Sequence, residues 1–407
     1  MKVCIVCYGL RENNIRLQPW RYISEIAKGL ILKGVDVKIL TDGTGQEQLL
    51  EGISVLYADK LRSLPFIKNN KLISLISKEK PDIILWSMGP IDYFYLSTLR
   101  ETNIPIIGMF TGPIYKLKDI TRLGMREIIS NFSSLSVQII YASLPSLCSR
   151  NLVNSQTLSK VFVMSRKNMD MLVSMGADVN KIAHIPAGID EYDLIQPEYP
   201  EYVISKFNVS VGSFNILYFG SPINIRGIDS LIRAVAKVSS VYPNVRLLVL
   251  SRRRDNELSQ EELHLKSLIN ETDIEKNVQI VSGFLDKKDV KSFIKFCDVV
   301  CLPFKIVPSD IPTSILESMA MGKTVISTNV DGIPELLKNG RGIVIEPNDD
   351  EELASKILSC IDDTESLRDA EKKSLDFIME YPFWADIADS VLQEMNLSLT
   401  TTRGETA

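Results

Sequence analysis

Glu317 sits in the stretch SDIPTSILESMAMGKTVIST, residues 309–328, one residue after the apolar pair Ile315 and Leu316. Ile315, Leu316, Met319 and Ala320 recur at the three-to-four spacing of a buried helical face. Ser309 or Asp310 is placed to cap that helix, Pro312 suits its first turn, and Gly322 is placed to end it. Val325 and Ile326 then begin a strand. A solvated helical glutamate fits this pattern. So does a carboxylate aimed into a cleft, and the rest of the chain has to decide between them.

A second chemistry-bearing stretch, YFGSPINIRGIDSLIRA, runs from 218 to 234 as strand, glycine turn and helix. Gly220 allows a tight exit from the strand, and Arg226-Gly227 stands at a helix entry, where backbone N–H groups and the helix dipole favour an anion. An arginine there opposes the dipole unless a phosphate lies between them. Without a phosphate it is a surface arginine. Neither G-x-G-x-x-G nor a P-loop is present. The stretch SRRRDNE (251–257) ends another strand and reads as a solvated loop, with three arginines facing a cleft as the sharper alternative. In SGFL (282–285), Gly283 ends a strand and Phe284 is an aromatic able to cover a base. Glycine, arginine and hydroxyl groups thus gather at strand ends of the second half, which points to a phosphate-containing ligand held there.

Other chemistries lack their residues. The two histidines, His184 and His264, supply neither a zinc site nor a histidine-based triad. The six cysteines are scattered, and the spacing of Cys4 and Cys7 in a strand points their sulfurs to opposite faces, so no metal site is expected. A net charge of −5 argues against a nucleic-acid partner. No apolar run is long enough to span a bilayer. The opening MKVCIVCYGLRENN meets Arg11 and Glu12 too soon for a signal peptide, so a cytoplasmic location is the expectation.

The elements that must position these residues alternate short apolar runs with longer amphipathic ones, as parallel α/β construction does. KVCIVCY, VDVKIL, PDIILW, IPIIGMF, VQIIYA, KVFVMS and IAHIPAG read as strands of a first domain, residues 1–195, with a helix over 20–33. The polar, proline-bearing DEYDLIQPEYPEYV (190–203) reads as a linker. FNILYFG, VRLLVLS, VQIVSG, CDVVCLPF, KTVIST and GIVIEP then build a second domain over 196–381. Two facing, doubly wound, Rossmann-like domains would bind ligands at strand carboxyl ends, in the cleft between them.

The block SDIPTSILESMAMGKTVISTNVDGIPEL is similar to the donor-binding signature of retaining GT-B glycosyltransferases of glycosyltransferase family four. YFGSPINIRGIDSLIRA, VQIVSGFL, CDVVCLPF and VMSRKNMDMLVSMGADVNKIAHIPAGID fall in that family's order and spacing. YPFWADIADSVL resembles its closing aromatic segment, whose helix (about 382–397) crosses back to the first domain.

The resemblance implies a nucleotide diphosphate-sugar as donor substrate, with no cofactor and no metal. Arg226 matches the phosphate-binding lysine and Glu317 the glutamate that holds the ribose hydroxyls; these two are the expected catalytic pair. Ser221, Gly283, Phe284, Ser309, Asp310, Thr313, Ser314 and Ile315 are the expected donor pocket. Within it, backbone amides of 313–315 would meet the diphosphate and Gly283-Phe284 the base. Thr111 and Gly112 are the expected acceptor-side cleft. Four departures stand out: Ser309 replaces the usual first glutamate, Ser221 an arginine and Thr111 a histidine, and GLRENNIRLQPWRY lacks a Gly-Gly pair. The acceptor implied is a glycan, a lipid-linked molecule or a small molecule. The alternative is a non-catalytic GT-B partner subunit or nucleotide-sugar binder. Residues 115–132, which mix Lys116, Lys118, Arg122 and Arg126 with Leu117, Ile120, Leu123 and Ile128, suggest peripheral contact with an anionic membrane or a helix packed on its own sheet.

Overall fold

The computed structural model describes residues 1–404 apart from 45, 60, 62–66, 198–199, 210, 253–259, 284 and 308. Its first sheet holds β1 (Lys2–Val6), β2 (Asp36–Asp42), β3 (Glu47–Leu50), β4 (Ile53–Ala58), β5 (Ile83–Met88), β6 (Ile106–Phe110), β7 (Leu158–Val163) and β8 (Ile182–His184). Their order is β3-β4-β2-β1-β5-β6-β7-β8, all parallel except for β3 against β4. The second sheet holds β9 (Phe214–Gly220), β10 (Val245–Arg252), β11 (Val278–Gly283), β12 (Val299–Leu302), β13 (Val325–Thr328) and β14 (Ile343–Ile345), in the order β11-β10-β9-β12-β13-β14 and parallel throughout.

Central strands such as β6, IIGMF, are buried along their whole length, as a parallel sheet covered on both faces requires. Cys4 and Cys7 enter the cores on opposite sides of the first sheet, and all six cysteines are buried as free thiols. Helix α1 (Trp20–Leu32) follows β1; α2 (Arg166–Ser174) follows β7; α3 (Ile228–Val241) follows β9; α4 (Lys287–Phe296) follows β11; and α5 (Thr313–Ala320) follows β12. The last helix, α6 (Trp384–Gly404), returns to the first domain. There Gly29 of α1 meets α6 so closely that a Cβ at Gly29 would stand 2.4 Å from that of Ala388.

Two expectations are corrected. VQIIYA is not a strand but part of a helix, Phe132–Ser143. Leu135, Ile139 and Ala142 face one apolar cluster while Val137 and Ile140 are exposed, so the short run has helical periodicity and no strand partner. The basic-apolar stretch 115–132 is neither one helix nor packed on its own sheet. It breaks into helices Leu117–Thr121 and Met125–Ser130, and Tyr115, Ile120 and Leu123 bury themselves against Ile225 and Ile306 of the second domain. Lys305, buried there, pairs with Asp229 at 2.8 Å and with Glu127 of the first domain.

Candidate active site

The carboxyl ends of β9 and β12, neighbours in the second sheet, bring two sequence-identified groups to one edge. Beyond β9 the chain turns at Gly220 (φ +123), where a Cβ would lie 2.8 Å from Arg226 Nη1. Glycine is what lets the guanidinium lie back against the strand end. Arg226 closes a short 3-10 turn (Asn224–Arg226), and Gly227 at φ +78 starts α3. A Cβ on Gly227 would fall 1.8 Å from the Pro303 carbonyl oxygen, so the β9 and β12 loops touch backbone to backbone. Buried Asp229 answers the dipole of α3 from within its first turn, pairing also with Arg233 at 3.0 Å. Ser221 is half-buried, and its carbonyl accepts from the Tyr218 hydroxyl at 2.8 Å. Gly283 ends β11 at φ +135, while Phe284 lies outside the described residues.

The loop after β12 departs from expectation. Ser309 and Asp310 do not line an open pocket; they are buried against the first domain. Ser309 Oγ donates to the Thr111 carbonyl at 3.4 Å, and Asn168 Nδ2 of α2 donates to Asp310 Oδ2 at 2.8 Å. The same Nδ2 reaches the Gly112 carbonyl at 3.3 Å, and Asn168 Oδ1 accepts from the Ile114 N–H at 3.2 Å. Glu335 adds to this seam by accepting from the N–H groups of Arg166 and Lys167 at the start of α2. Among the described residues Asp310 Oδ1 has no hydrogen-bond partner, and burial, helped by the charge of Asp331, raises the Asp310 carboxyl to about 8. Thr111 is buried and Gly112 half-buried at this seam, where the sequence reading places the acceptor-side cleft. A hydroxyl and a carboxylate at a strand end serve domain contact as readily as ligand contact. Neither residue caps α5 either: Pro312 holds that position without a side-chain hydrogen bond. Gly322, at φ +66, follows the helix end as expected.

Thr313 and Ser314 form the half-buried first turn of α5, and the Ile315 side chain is core. One turn on, Glu317 keeps 28% of its side chain exposed and points toward the first domain. Its Oε1 accepts from Arg21 Nη1 of α1 at 3.3 Å. Arg21 Nη2 donates to Asp190 Oδ2 at 2.9 Å, Asp193 stands 3.9 Å away, and Lys287 Nζ of α4 meets Asp190 Oδ2 at 2.8 Å. Burial pushes the Glu317 carboxyl up to about 7, against the pull of Arg21. Arg21, Asn168, Asp190 and Lys287 escaped the sequence reading. The available signal was Arg21, a cation among the buried residues of α1.

The edge therefore offers a cation at one loop, a half-buried first helical turn at the next and a carboxylate one turn further. That set suits a molecule with a diphosphate and a vicinal diol. Two family profiles divide the chain: Glycosyltransferase Family 4 matches residues 20–192, and Glycosyl transferases group 1 matches residues 204–376. The chain belongs to the family-four, group-one glycosyltransferases.

Relatives within and around this family are distant. A GDP-mannose-dependent monoacylated alpha-(1-6)-phosphatidylinositol monomannoside mannosyltransferase of Corynebacterium glutamicum is 25% identical over 187 residues, 44% of this chain and 47% of that protein. An uncharacterized glycosyltransferase of Methanocaldococcus jannaschii is 22% identical over 64% of this chain and 58% of its own. The chain thus spans about half the length of these curated relatives. A glycosyltransferase from Rickettsia africae superposes with a TM-score of 0.74 at 20% identity over 98% of each chain. An Anabaena protein in complex with UDP and glucose gives 0.72 at 16% identity, covering 97% of this chain and 99% of that one. At such identities the likeness is one of fold, and the fold is GT-B.

Proposed function

We propose that this family-four protein is a retaining glycosyltransferase that moves a sugar from a nucleotide diphosphate-sugar to an acceptor hydroxyl without a metal ion. The observation that carries the proposal is the placement of Arg226 and Glu317 beyond the ends of neighbouring strands, Arg226 in the turn after β9 and Glu317 on α5 after β12. Glu317 would accept the ribose hydroxyls, while Arg226 and the amides of 313–315 would receive the diphosphate. As the bond from sugar C1 to the diphosphate oxygen breaks, negative charge grows on that oxygen, where preorganised donors are most effective. The acceptor oxygen would bond C1 on the same face, its proton passing to the departing diphosphate. The Anabaena complex with UDP and glucose and the GDP-mannose dependence of the Corynebacterium relative support a donor of this class.

The test is calorimetric titration of nucleotide-sugars with wild type and Glu317→Gln. Each hydrogen bond to a charged group contributes roughly 1.5–3 kcal/mol, so the variant should bind about tenfold more weakly or worse at an unchanged melting temperature. Wild-type affinity in Glu317→Gln would overturn the assignment. One observation favours a second reading, a non-catalytic partner subunit: Ser309 stands at the family's first-glutamate position and its hydroxyl is engaged by the Thr111 carbonyl. Donor binding with neither transfer nor donor hydrolysis would decide for it.

For the acceptor we propose a glycan, lipid-linked or small molecule, reached by a protein acting in the cytoplasm. Among the described residues no helix is long and apolar enough to cross a membrane. Leu117, Met125, Ile129 and Phe132 are nevertheless exposed beside Lys116, Lys118 and Arg122, which supports contact with an anionic lipid surface. Sedimentation with anionic but not neutral vesicles, reversed by high salt, is the expected result; equal sedimentation with both would remove the idea.

A further inference from the structure

We infer that Arg21, a residue of the first domain, is a positioning residue for Glu317: it holds Oε1 and leaves Oε2 to the ribose diol, so that one domain sets how well the other grips nucleotide. The inference rests on the reading of Glu317 as the ribose ligand. Its geometry is that of a rigid fork. Arg21 is only 8% exposed and divides its two terminal nitrogens, Nη1 to Glu317 at 3.3 Å and Nη2 to Asp190 at 2.9 Å. A guanidinium is planar, so fixing one arm fixes the other. Asp190 is itself tied to α4 by Lys287 at 2.8 Å. The next residue, Tyr22, is locked by its hydroxyl bond to the Ile185 carbonyl at 2.8 Å and by its edge contact with Trp384. Glu317, by contrast, has a flexible side chain, and among the described residues its hydrogen bond is made at Oε1, to Arg21.

Charge points the same way. Arg21 serves three carboxylates at once, those of Glu317, Asp190 and Asp193, with Glu25 also near it on α1. Its bonds to Asp190 and Asp193 stay within the first domain, and the one to Glu317 crosses to the second. The groups facing Glu317 are Arg21 from α1, Asp193 from the segment after β8 and Lys287 from α4. The helix Thr364–Met379, packed along the other flank of α5, places Glu371 on Lys323 beyond the helix end. Burial drives a proton onto Glu317 and Arg21 drives it off. A carboxylate that must accept from two hydroxyls has to be ionised, because the protonated form gives up part of its acceptor capacity. Nucleotide affinity should therefore be present above about pH 7 and fall as pH drops through that value. Without Arg21 the Glu317 carboxyl rises further, and the fall moves to higher pH.

The experiment is titration of the full chain with UDP and with GDP from pH 6 to 9, using Arg21→Met, Arg21→Lys, Glu317→Gln and the Arg21→Met/Glu317→Gln pair. Protonation of the nucleotide phosphates is common to all variants and cancels in the comparison. For whichever nucleotide wild type binds, Arg21→Met should lose about tenfold in affinity near neutrality and shift the acid-side loss upward. Arg21→Lys should fall between it and wild type. In the Glu317→Gln background, Arg21→Met should cost nothing more. An unshifted pH profile, or an equal loss in both backgrounds, overturns the role of Arg21 while leaving Glu317 as ribose ligand. Glu317→Gln binding like wild type overturns both. If Arg21→Met does not fold, Arg21→Lys alone decides: its pH midpoint is raised if Arg21 positions Glu317 and equals that of wild type if it does not.

Discussion

Asp310 and Glu317 belong to one loop-helix unit, Asp310 before the helix and Glu317 one turn into it, both acidic and both facing the first domain, yet their surroundings differ. Asp310 is fully buried and its hydrogen-bonded partner is a neutral amide, that of Asn168, in a seam that also holds the carboxylates of Asp331 and Glu335. Glu317 is part-exposed and meets a guanidinium already shared with Asp190. A buried carboxyl beside a neutral donor is most stable carrying its proton. One beside an arginine keeps access to its ionised form. The first arrangement suits docking of domains and the second suits holding a ligand. The difference teaches that charge partner and exposure, rather than residue type or place at a strand end, separate the two uses.

If that contrast is sound, changes on the ligand side should alter binding or turnover at constant melting temperature, and changes in the seam should do the reverse. The largest effect is expected at Arg226. Arg226→Ala removes a cation from the place proposed for the donor diphosphate, so turnover with any accepted acceptor should drop on the order of a hundredfold. Arg226→Lys, which restores the residue usual in the family, should recover much of it. A fall in melting temperature that accounts for the lost activity would instead move Arg226 to the structural side.

Asp310→Asn probes the seam, and its signature is pH dependence. The folded carboxyl, at about 8, lies far above its ordinary value of 3.8, so the folded state holds a proton that the unfolded chain releases. Stability from this group is complete below about pH 4 and is lost as pH rises through about 8. Asp331, raised to about 7 by burial, adds to the same slope. Asparagine cannot ionise. Melting curves from pH 5 to 9 should show Asp310→Asn gaining on wild type toward the alkaline end by several degrees, with nucleotide affinity unchanged within about twofold. Parallel curves would mean that Asp310 is ionised throughout, and the contrast with Glu317 would collapse.

How much of this was legible in the chain depends on sequence distance. Strands such as KVCIV and FNILYFG follow from local pattern, short apolar runs bounded by polar residues. Arg226 and Glu317 stood out because each is a charged group at the entry of an otherwise apolar element. VQIIYA was misread because a run of six apolar-rich residues fits a strand or a buried helix equally. The contacts that assign roles join residues far apart: Arg21 and Glu317 are 296 positions apart, Asn168 and Asp310 are 142. No local periodicity encodes such pairs. The contacts of Ser309 with Thr111 and of Asp310 with Asn168 are of this long-range kind.

The smallest effect is expected at Thr111, and a null result there is informative because the family often has a histidine at this place. Thr111 is 6% exposed, and the group that contacts the second domain is its carbonyl oxygen, which any residue supplies. Among the described residues its hydroxyl meets only Ser87 Oγ, at 3.5 Å, the outer limit of a hydrogen bond. Thr111→Val keeps the branched shape and the carbonyl, and leaves the Ser87 hydroxyl to rotate toward another acceptor. The stability cost should be no more than about 1 kcal/mol, and turnover should stay within about threefold of wild type, because a threonine hydroxyl titrates far from the range useful for proton transfer. The measurement is steady-state turnover beside a thermal melt. A loss of about a hundredfold with an unchanged melt would put the Thr111 hydroxyl at the reacting atoms. The seam would then be part of the active site, and the division between docking and ligand-holding groups would have to be redrawn around Ser309 and Asn168.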